Sequence, residues 1–190
     1  LRNGGIYFAP MTGLVDGILP LAFDGGFPNV LHDGKLDLQV TGDVPLAKVA
    51  TVVPRYAFPA FKDSFTSLEK ARGPVTANAH LDFDLSGDTY NYDGSLALQQ
   101  VDVPLPRLGL DLADLKGDIQ FSHERVESSL IRGRSGKSPV GLAFSVEAPQ
   151  SGSPVLHISF DGADLDMAPI MAAWSGGRGY SSEGRVSFDG

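Results

Sequence analysis

The first stretch whose residue types could do chemistry is GRSGKS, at Gly133–Ser138. A phosphate-binding loop has the pattern G-x-x-x-x-G-K-[ST] and opens a helix, whose N-terminal amides hold the phosphates. Counting back from Gly136, the first glycine should stand at position 131, which is Ile131. Pro139 follows at once, and apolar residues then alternate over Val140–Val146, a pattern typical of a strand. The segment therefore predicts a basic turn between two strands and no nucleotide site.

A second candidate is HLDFD, at His80–Asp84, which places one imidazole and two carboxylates on the same face of a strand. Such a set could bind a metal ion. The alternative is a solvated outer face whose inward partners are Leu81, Phe83 and Leu85. We favour the solvated face, because no second histidine cluster supports a metal site. We therefore expect neither a metal nor a cofactor.

Three acidic residues crowd another turn, at Asp161, Asp164 and Asp166. They could bind calcium loosely, but they lack the alternating acidic positions and distal glutamate of a calcium loop. Capping of a short helix by Asp164 or Asp166 explains them more simply. Three aromatic side chains could stack on a ligand but more often anchor a core or a strand edge: Tyr90, Tyr92 and Trp174.

Catalytic patterns are absent from the sequence. There is no G-x-S-x-G elbow for a nucleophilic serine, and no cysteine to supply a thiolate or a disulfide. The histidines stand singly, at His32, His80, His123 and His157. A carboxylate pair for glycoside cleavage has no sequence spacing to detect, because its spacing is spatial. We therefore expect a protein that is not an enzyme.

The elements that would position these residues have a period of two. Apolar side chains alternate with polar or small ones in at least six segments, which is the pattern of half-buried antiparallel strands. The segments recur every dozen or so residues and are separated by D-G, S-G and G-G steps that suit turns. Short strands are also expected near Ile6–Ala9 and Ile18–Phe23. The sequence predicts an all-β protein.

Helical signals are few. Asp43–Val53 opens with an aspartate that could cap a helix and has a proline near its first turn. Asp166–Trp174 has the same features, and Asp63–Arg72 is either a third short helix or a polar connection. Leu36–Val49 and Leu156–Ile170 also parallel each other, with one insertion, as a strand, a glycine turn and an apolar helix start. Such similarity predicts a repeating unit.

Composition sets further bounds. Of the 190 residues, 42% are hydrophobic and 20% charged, a globular balance. A net charge of −8 argues against nucleic acid as a partner, and weakens docking on anionic lipid surfaces. No apolar stretch approaches the ~20 residues of a membrane-spanning helix, and no signal peptide is visible. We expect the chain to be a fragment of a longer protein.

Two segments carry a family resemblance. Val101–Phe121 contains D-L-K-G-x-I-x-F after a leucine-rich approach, and leads through a glycine turn into the x-V-x-L-x-F pattern of the following strand. The strand Leu156–Phe160 then continues into D-G-A-D-L-D-M, and a new strand begins near Gly184. This order resembles the repeated module of the AsmA-like proteins of the Gram-negative cell envelope.

The resemblance implies a fold, a location and a function. The fold would be an extended, curved antiparallel sheet, open on one side like a taco, with one or two short helices. Residues 1–73 would be the end of a preceding β unit with a short helix, and residues 74–190 the AsmA-like β repeat. The parent protein would be anchored in the inner membrane, extend into the periplasm, and serve phospholipid transport or outer-membrane assembly. Phospholipid acyl chains, and other envelope proteins, would be its partners.

The alternating pattern itself leaves two architectures open. An open groove would offer its apolar face to lipid, whereas a closed β-sandwich would bury the same face against a second sheet. A sandwich or β-solenoid would serve as a scaffold for protein–protein contact, as in a surface or adhesion protein. The residues predicted to line a lipid groove are Leu81, Phe83, Leu85, Leu96, Leu98, Ile119, Phe121, Leu142, Phe144, Leu156, Ile158 and Phe160.

Overall fold

The computed structural model of the chain describes residues 5–29, 34–56, 68–87, 89–106, 109–147 and 155–162, with the side chains of residues 54–56 and 156 outside that description. This part of the chain contains ten strands and one α-helix. They are β1 (Ile6–Val15), β2 (Leu19–Phe27), β3 (Lys35–Pro45), α1 (Leu46–Tyr56), β4 (Pro74–Asp84), β5 (Thr89–Leu105), β6 (Leu110–Ser122), β7 (Arg125–Ser128), β8 (Ile131–Ser135), β9 (Ser138–Glu147) and β10 (Val155–Gly162).

All ten strands belong to one curved antiparallel sheet. Its order follows the chain from β1 to β6, because each strand pairs with the next. β7 and β8 both pair with β6 on one side and with β9 on the other, so that together they fill a single position in the sheet. β10 follows β9. The predicted all-β class and curved sheet are confirmed, and the described strands do not form the two packed sheets of a sandwich.

The period of two separates the two faces of the sheet. Cross-strand pairs are apolar on one face, as in Leu38 with Leu81 and Leu96 with Ile119. One residue along, the pairs are polar, as in Gln39 with His80. A shift of one residue in register would place every apolar side chain on the wet face, so the alternation fixes the pairing strongly. We refer to these as the apolar face and the polar face.

Two turns show why the strands end where they do. The segment GRSGKS is the hairpin between β8 and β9, with Ser135 paired to Ser138 across Gly136 and Lys137, as predicted. Gly136 has φ of 60°, a conformation that glycine adopts without steric cost. Asp16 and Gly17 likewise have positive φ between β1 and β2, and the amide of Ile18 donates to the carbonyl of Val15 at 3.1 Å, which closes the turn. Strands near Ile6 and Ile18 were expected, but both extend several residues further.

The predicted helix beginning at Asp43 is wrong at its N-terminus. α1 starts at Leu46, whereas Asp43 and Pro45 belong to β3. The ladder between β3 and β4 continues to the pair Pro45–Pro74, so the backbone at Asp43 is held extended. Its carboxylate accepts a hydrogen bond from Thr76 Oγ1 at 2.6 Å and does not cap the helix. Strand pairing outweighed the local capping signal.

Several predictions fall on residues outside the description. The possible helix at Asp166–Trp174 lies there, as do Trp174, His32 and the strand expected near Gly184. Of Asp63–Arg72, the structure describes only Leu68 onward, where a single turn of 3₁₀ helix leads to β4. β3 and β4 pair directly, so the sheet crosses the proposed boundary at residues 73 and 74 without interruption. The division into two units stays a prediction.

The buried core lies where α1 meets the apolar face. Leu46, Val49 and Val52 of α1 pack into one cluster with residues of seven strands. Those strand residues are Leu19, Val44, Val75, Leu98, Val101, Val103, Leu112, Leu115, Ile131 and Val140, and Ala71 joins them from the turn before β4. Burial of each larger side chain contributes roughly 1.5–3 kcal/mol. This cluster anchors one end of the sheet.

Candidate functional site

The structure describes the side chains of eleven of the twelve residues predicted to line a groove, and these fall into four groups by burial. Leu98 is part of the buried core, and four others are half-buried and pack against that core: Leu96, Ile119, Leu142 and Phe144. Leu81, Phe83 and Phe121 are half-buried without belonging to it, while Leu85, Ile158 and Phe160 are exposed. The side chain of Leu156 lies outside the description. The sequence predicted one uniform surface, whereas in the structure the two ends of that surface differ in burial.

One end of the apolar face is covered by α1, and we call it the helix end. It is defined by Val44, Val75, Leu98 and Val101, which are all buried. The first amide of α1, at Leu46, donates to the carbonyl of Gly73 at 3.1 Å, next to the last pair of the β3–β4 ladder. Residues there have the environment of an ordinary core. They belong to the packed cluster that stabilises the sheet.

The opposite end of the same face is open, and we define it by Leu81, Phe83, Leu85, Tyr90 and Phe121. Leu85 is 57% exposed, whereas Leu98 on the same face is 7% exposed. Along the far edge of the sheet, Ile158 of β10 is 59% exposed. Within the described part of the chain, no helix covers this end. Exposed apolar surface of this kind is a candidate site for a ligand or a partner.

An aromatic cluster occupies the open end. Tyr90 stacks on Tyr92 with ring centroids 6.2 Å apart, and Phe83 and Phe121 flank them at 6.3 and 6.4 Å. The ring of His123 lies edge-on to both tyrosines, 6.3 Å from Tyr90 and 5.8 Å from Tyr92. Tyr92 is nearly buried, but Tyr90 is 47% exposed. The cluster therefore presents one aromatic ring and one imidazole at the rim of an apolar surface.

Sequence reasoning identified the two tyrosines but missed His123. Tyr92 and His123 meet because β5 and β6 pair in register, and the amide of His123 donates to the carbonyl of Tyr92 at 3.1 Å. The sequence separates Tyr92 and His123 by 31 positions, so no local motif marks the contact. Its only trace in the sequence is that His123 has the same parity as Ile119 and Phe121, which places it on the apolar face.

The polar face carries the predicted cluster around His80, with different members. His80 Nε2 lies 3.2 Å from Asp37 Oδ1 and 3.6 Å from Asp82 Oδ1, and its Nδ1 lies 3.6 Å from Asp93 Oδ1. Burial alone would lower the pKa of His80, but the charges of Asp82, Asp37 and Asp93 and the hydrogen bond to Asp37 raise it. When protonated, this imidazole faces three carboxylates from three strands.

Asp84, also proposed beside His80, has other partners. Its carboxylate accepts hydrogen bonds from the amide and hydroxyl of Ser86 and from the amide of Gly87, which closes the turn after β4. The bonds from Ser86 lower the pKa of Asp84. Asp37 lies near His80 in the place predicted for Asp84. One ligand atom each from Asp37, His80 and Asp82 lies within 4.8 Å of the other two. The side chains of His80, Asp37 and Asp82 are 36%, 52% and 56% exposed, so the geometry fits a solvated ionic cluster.

We expect the pKa of His80 to exceed its ordinary value of 6.5. A raised folded-state pKa means that His80 stabilises the fold at pH values below its unfolded pKa. The contribution is lost as the pH rises through the folded pKa. Two-dimensional NMR titration of the imidazole measures the shift, and replacement of Asp82 by Asn should move the midpoint down. A midpoint unchanged by Asp82→Asn would contradict the assigned cause.

No helix in the described residues is long and apolar enough to cross a membrane. Comparison with protein-family models, with curated proteins and with solved structures gave no match for this chain. The function is therefore argued from the geometry of the two faces.

Proposed function

We propose that this protein is a non-enzymatic module whose apolar sheet face binds the acyl chains of phospholipids. The observation that carries the proposal is the uneven cover of that face. One end is closed by α1, while the other presents the exposed Leu85 and Tyr90 beside the half-buried Phe83 and Phe121. An acyl chain lying on the open end would bury these side chains together with its own methylenes, worth about 0.8 kcal/mol for each CH₂.

The chemistry of the open end favours acyl chains over a polar ligand. The backbone amides and carbonyls of these strands are used in hydrogen bonds to neighbouring strands. What this face offers to a ligand is therefore mainly apolar side chains. Acyl chains require no hydrogen bonds and can fit an irregular apolar surface. Tyr90 and His123 stand at the rim, and rings of this kind have an apolar body and a polar tip that suit the boundary between acyl chains and headgroups.

The cellular setting is part of the same proposal and rests on the resemblance to AsmA-like proteins. The module would belong to a larger envelope protein anchored in the inner membrane, with this sheet in the periplasm. It would contribute to phospholipid transport or outer-membrane assembly. A sheet with one long apolar face suits passive transfer, because a lipid bound mainly by apolar burial can slide without breaking directional bonds.

Native mass spectrometry with lipid extraction tests the proposal, using chain purified from a bacterial host without detergent. We expect co-purified phospholipid in the wild-type chain, and a loss of about tenfold or more in Phe121→Asp, because a carboxylate would be desolvated against the acyl chain. Phe83→Asp should behave likewise. Phe144 is a poorer choice, because it packs against the core.

The matched control is Gln120→Asp, which adds the same charge one residue away on the polar face and should retain lipid. Far-UV circular dichroism of each variant separates loss of lipid from loss of fold. A wild-type chain that carries no lipid, or equal loss in Gln120→Asp and Phe121→Asp, would overturn the proposal. Either result would favour a scaffold that makes protein contacts through β1 and β10, each of which pairs with only one described strand.

A further inference from the structure

A basic depression lies on the polar face where β5, β6 and β8 meet. It is open to solvent, about 430 Å³ in volume, and lined by Gln100, Asp114, Lys116, Arg132, Gly133 and Arg134. Three of the lining side chains are cationic and one is a carboxylate, so the lining carries a charge of +2 in a chain whose net charge is −8, and the carboxylate of Asp102 adjoins it. This local reversal of sign is a feature that the lipid-binding proposal does not use.

Two bulged residues shape the depression. Gln100 has φ of 61° and Asp114 has φ of 54°, and both positions coincide with register shifts in the strand pairing. The backbone amide of Asp114 donates to Asp102 Oδ1 at 3.0 Å, which holds the second bulge in place. Bulges of this kind re-aim the side chains around them, and they are frequent beside binding sites. Here both bulged residues face the cationic side chains.

Lys116 and Arg132 lie side by side without a carboxylate paired to either among the described residues. Lys116 and Arg132 are directly paired across β6 and β8, an arrangement of like charges that destabilises a sheet. No described residue forms an ion pair with either of them. Arg134 does have a partner, since its Nε donates to Asp114 Oδ2 at 2.5 Å. That bond orients the guanidinium and leaves its terminal amino groups as further donors.

We propose that this depression binds a phosphate group. Two guanidinium groups and one ammonium group line the same depression and offer donors for a tetrahedral oxyanion, and arginine matches phosphate oxygens in a bidentate geometry. A bound anion would also neutralise the like-charge pair of Lys116 and Arg132. The phosphate could come from a small phosphate ester or from a lipid headgroup. The site lies on the face opposite the acyl-binding surface, so it is independent of that proposal.

Chemical-shift titration of the ¹⁵N-labelled chain tests the site in two arms at constant ionic strength. Inorganic phosphate is added in the first, and phosphatidylglycerol or phosphatidylcholine vesicles in the second. We expect saturable shifts of the amides of Gly133 and Arg134 with phosphate, and an affinity lowered at least tenfold in the double variant Lys116→Gln, Arg132→Gln. The control, Lys35→Gln with Lys48→Gln, makes the same change in net charge elsewhere and should bind as the wild type does.

The outcomes separate the sources of the phosphate. Binding of inorganic phosphate that depends on Lys116 and Arg132 supports the site for a soluble ester. A response to phosphatidylglycerol vesicles but not to inorganic phosphate, again dependent on Lys116 and Arg132, assigns the phosphate to a lipid headgroup. Absence of binding in both arms, or equal weakening in the control variant, overturns the site. Lipid carried on the apolar face is measured separately, so failure here does not affect the acyl-binding proposal.

Discussion

Replacement of Leu98 by Ala should lower the free energy of unfolding by about 2–5 kcal/mol, whereas Leu85→Ala should change it by no more than about 0.5 kcal/mol. Both leucines lie on the apolar face, and the chemical change is identical. Leu98 is 7% exposed and belongs to the buried cluster that α1 joins, so truncation leaves a cavity. Leu85 is mostly exposed, so truncation removes little buried contact. Urea unfolding followed by far-UV circular dichroism measures both values.

The pair of variants tests whether the two ends of the face have different roles. A loss of about 2 kcal/mol or more would be a large part of the stability of a domain of this size. The chain has no cysteine, so disulfide exchange does not complicate the unfolding curves. If Leu85→Ala destabilised the chain as much as Leu98→Ala, the far end would be closed core in solution. The basis for acyl binding would then be lost.

The alternation of the sequence was sufficient to predict the sheet and its two faces. Leu81, Phe83 and Leu96 were assigned to one face, and the register of β4 with β5 places them there. A period of two determines a face because successive side chains point in opposite directions. It carries no information on what covers that face. The same pattern therefore described Leu98 in the core and Leu85 at the surface.

Features that depend on tertiary packing could not be predicted in this way. The start of α1 was placed too early, because the capping potential of Asp43 is local while its pairing with Thr76 comes from a strand far along the chain. Asp37 joins His80 for the same reason, through the register of β3 with β4. Bulges shift the register in the middle of β5 and β6, and they determine which cations meet on the polar face. Contacts of this kind arise only once strands pair.

The second large effect expected is confined to one end of the sheet. A fatty acid with a nitroxide near its carboxyl end should broaden the amide resonances of Tyr90, Tyr92 and His123 when it binds. Resonances of Val44 and Val75 should keep their intensity, because paramagnetic broadening falls steeply with distance. Phe83 and Val75 are eight residues apart on β4, or roughly 27 Å in an extended strand. Reduction of the nitroxide should restore the lost signals, which controls for conformational change.

This mapping is the most direct test of whether the open end of the apolar face binds acyl chains. The proposed function predicts broadening around the aromatic cluster, reversal by unlabelled phospholipid, and weaker broadening in Phe121→Asp than in Gln120→Asp. Uniform broadening along the whole sheet, or none at lipid concentrations that saturate other acyl-binding proteins, would contradict it.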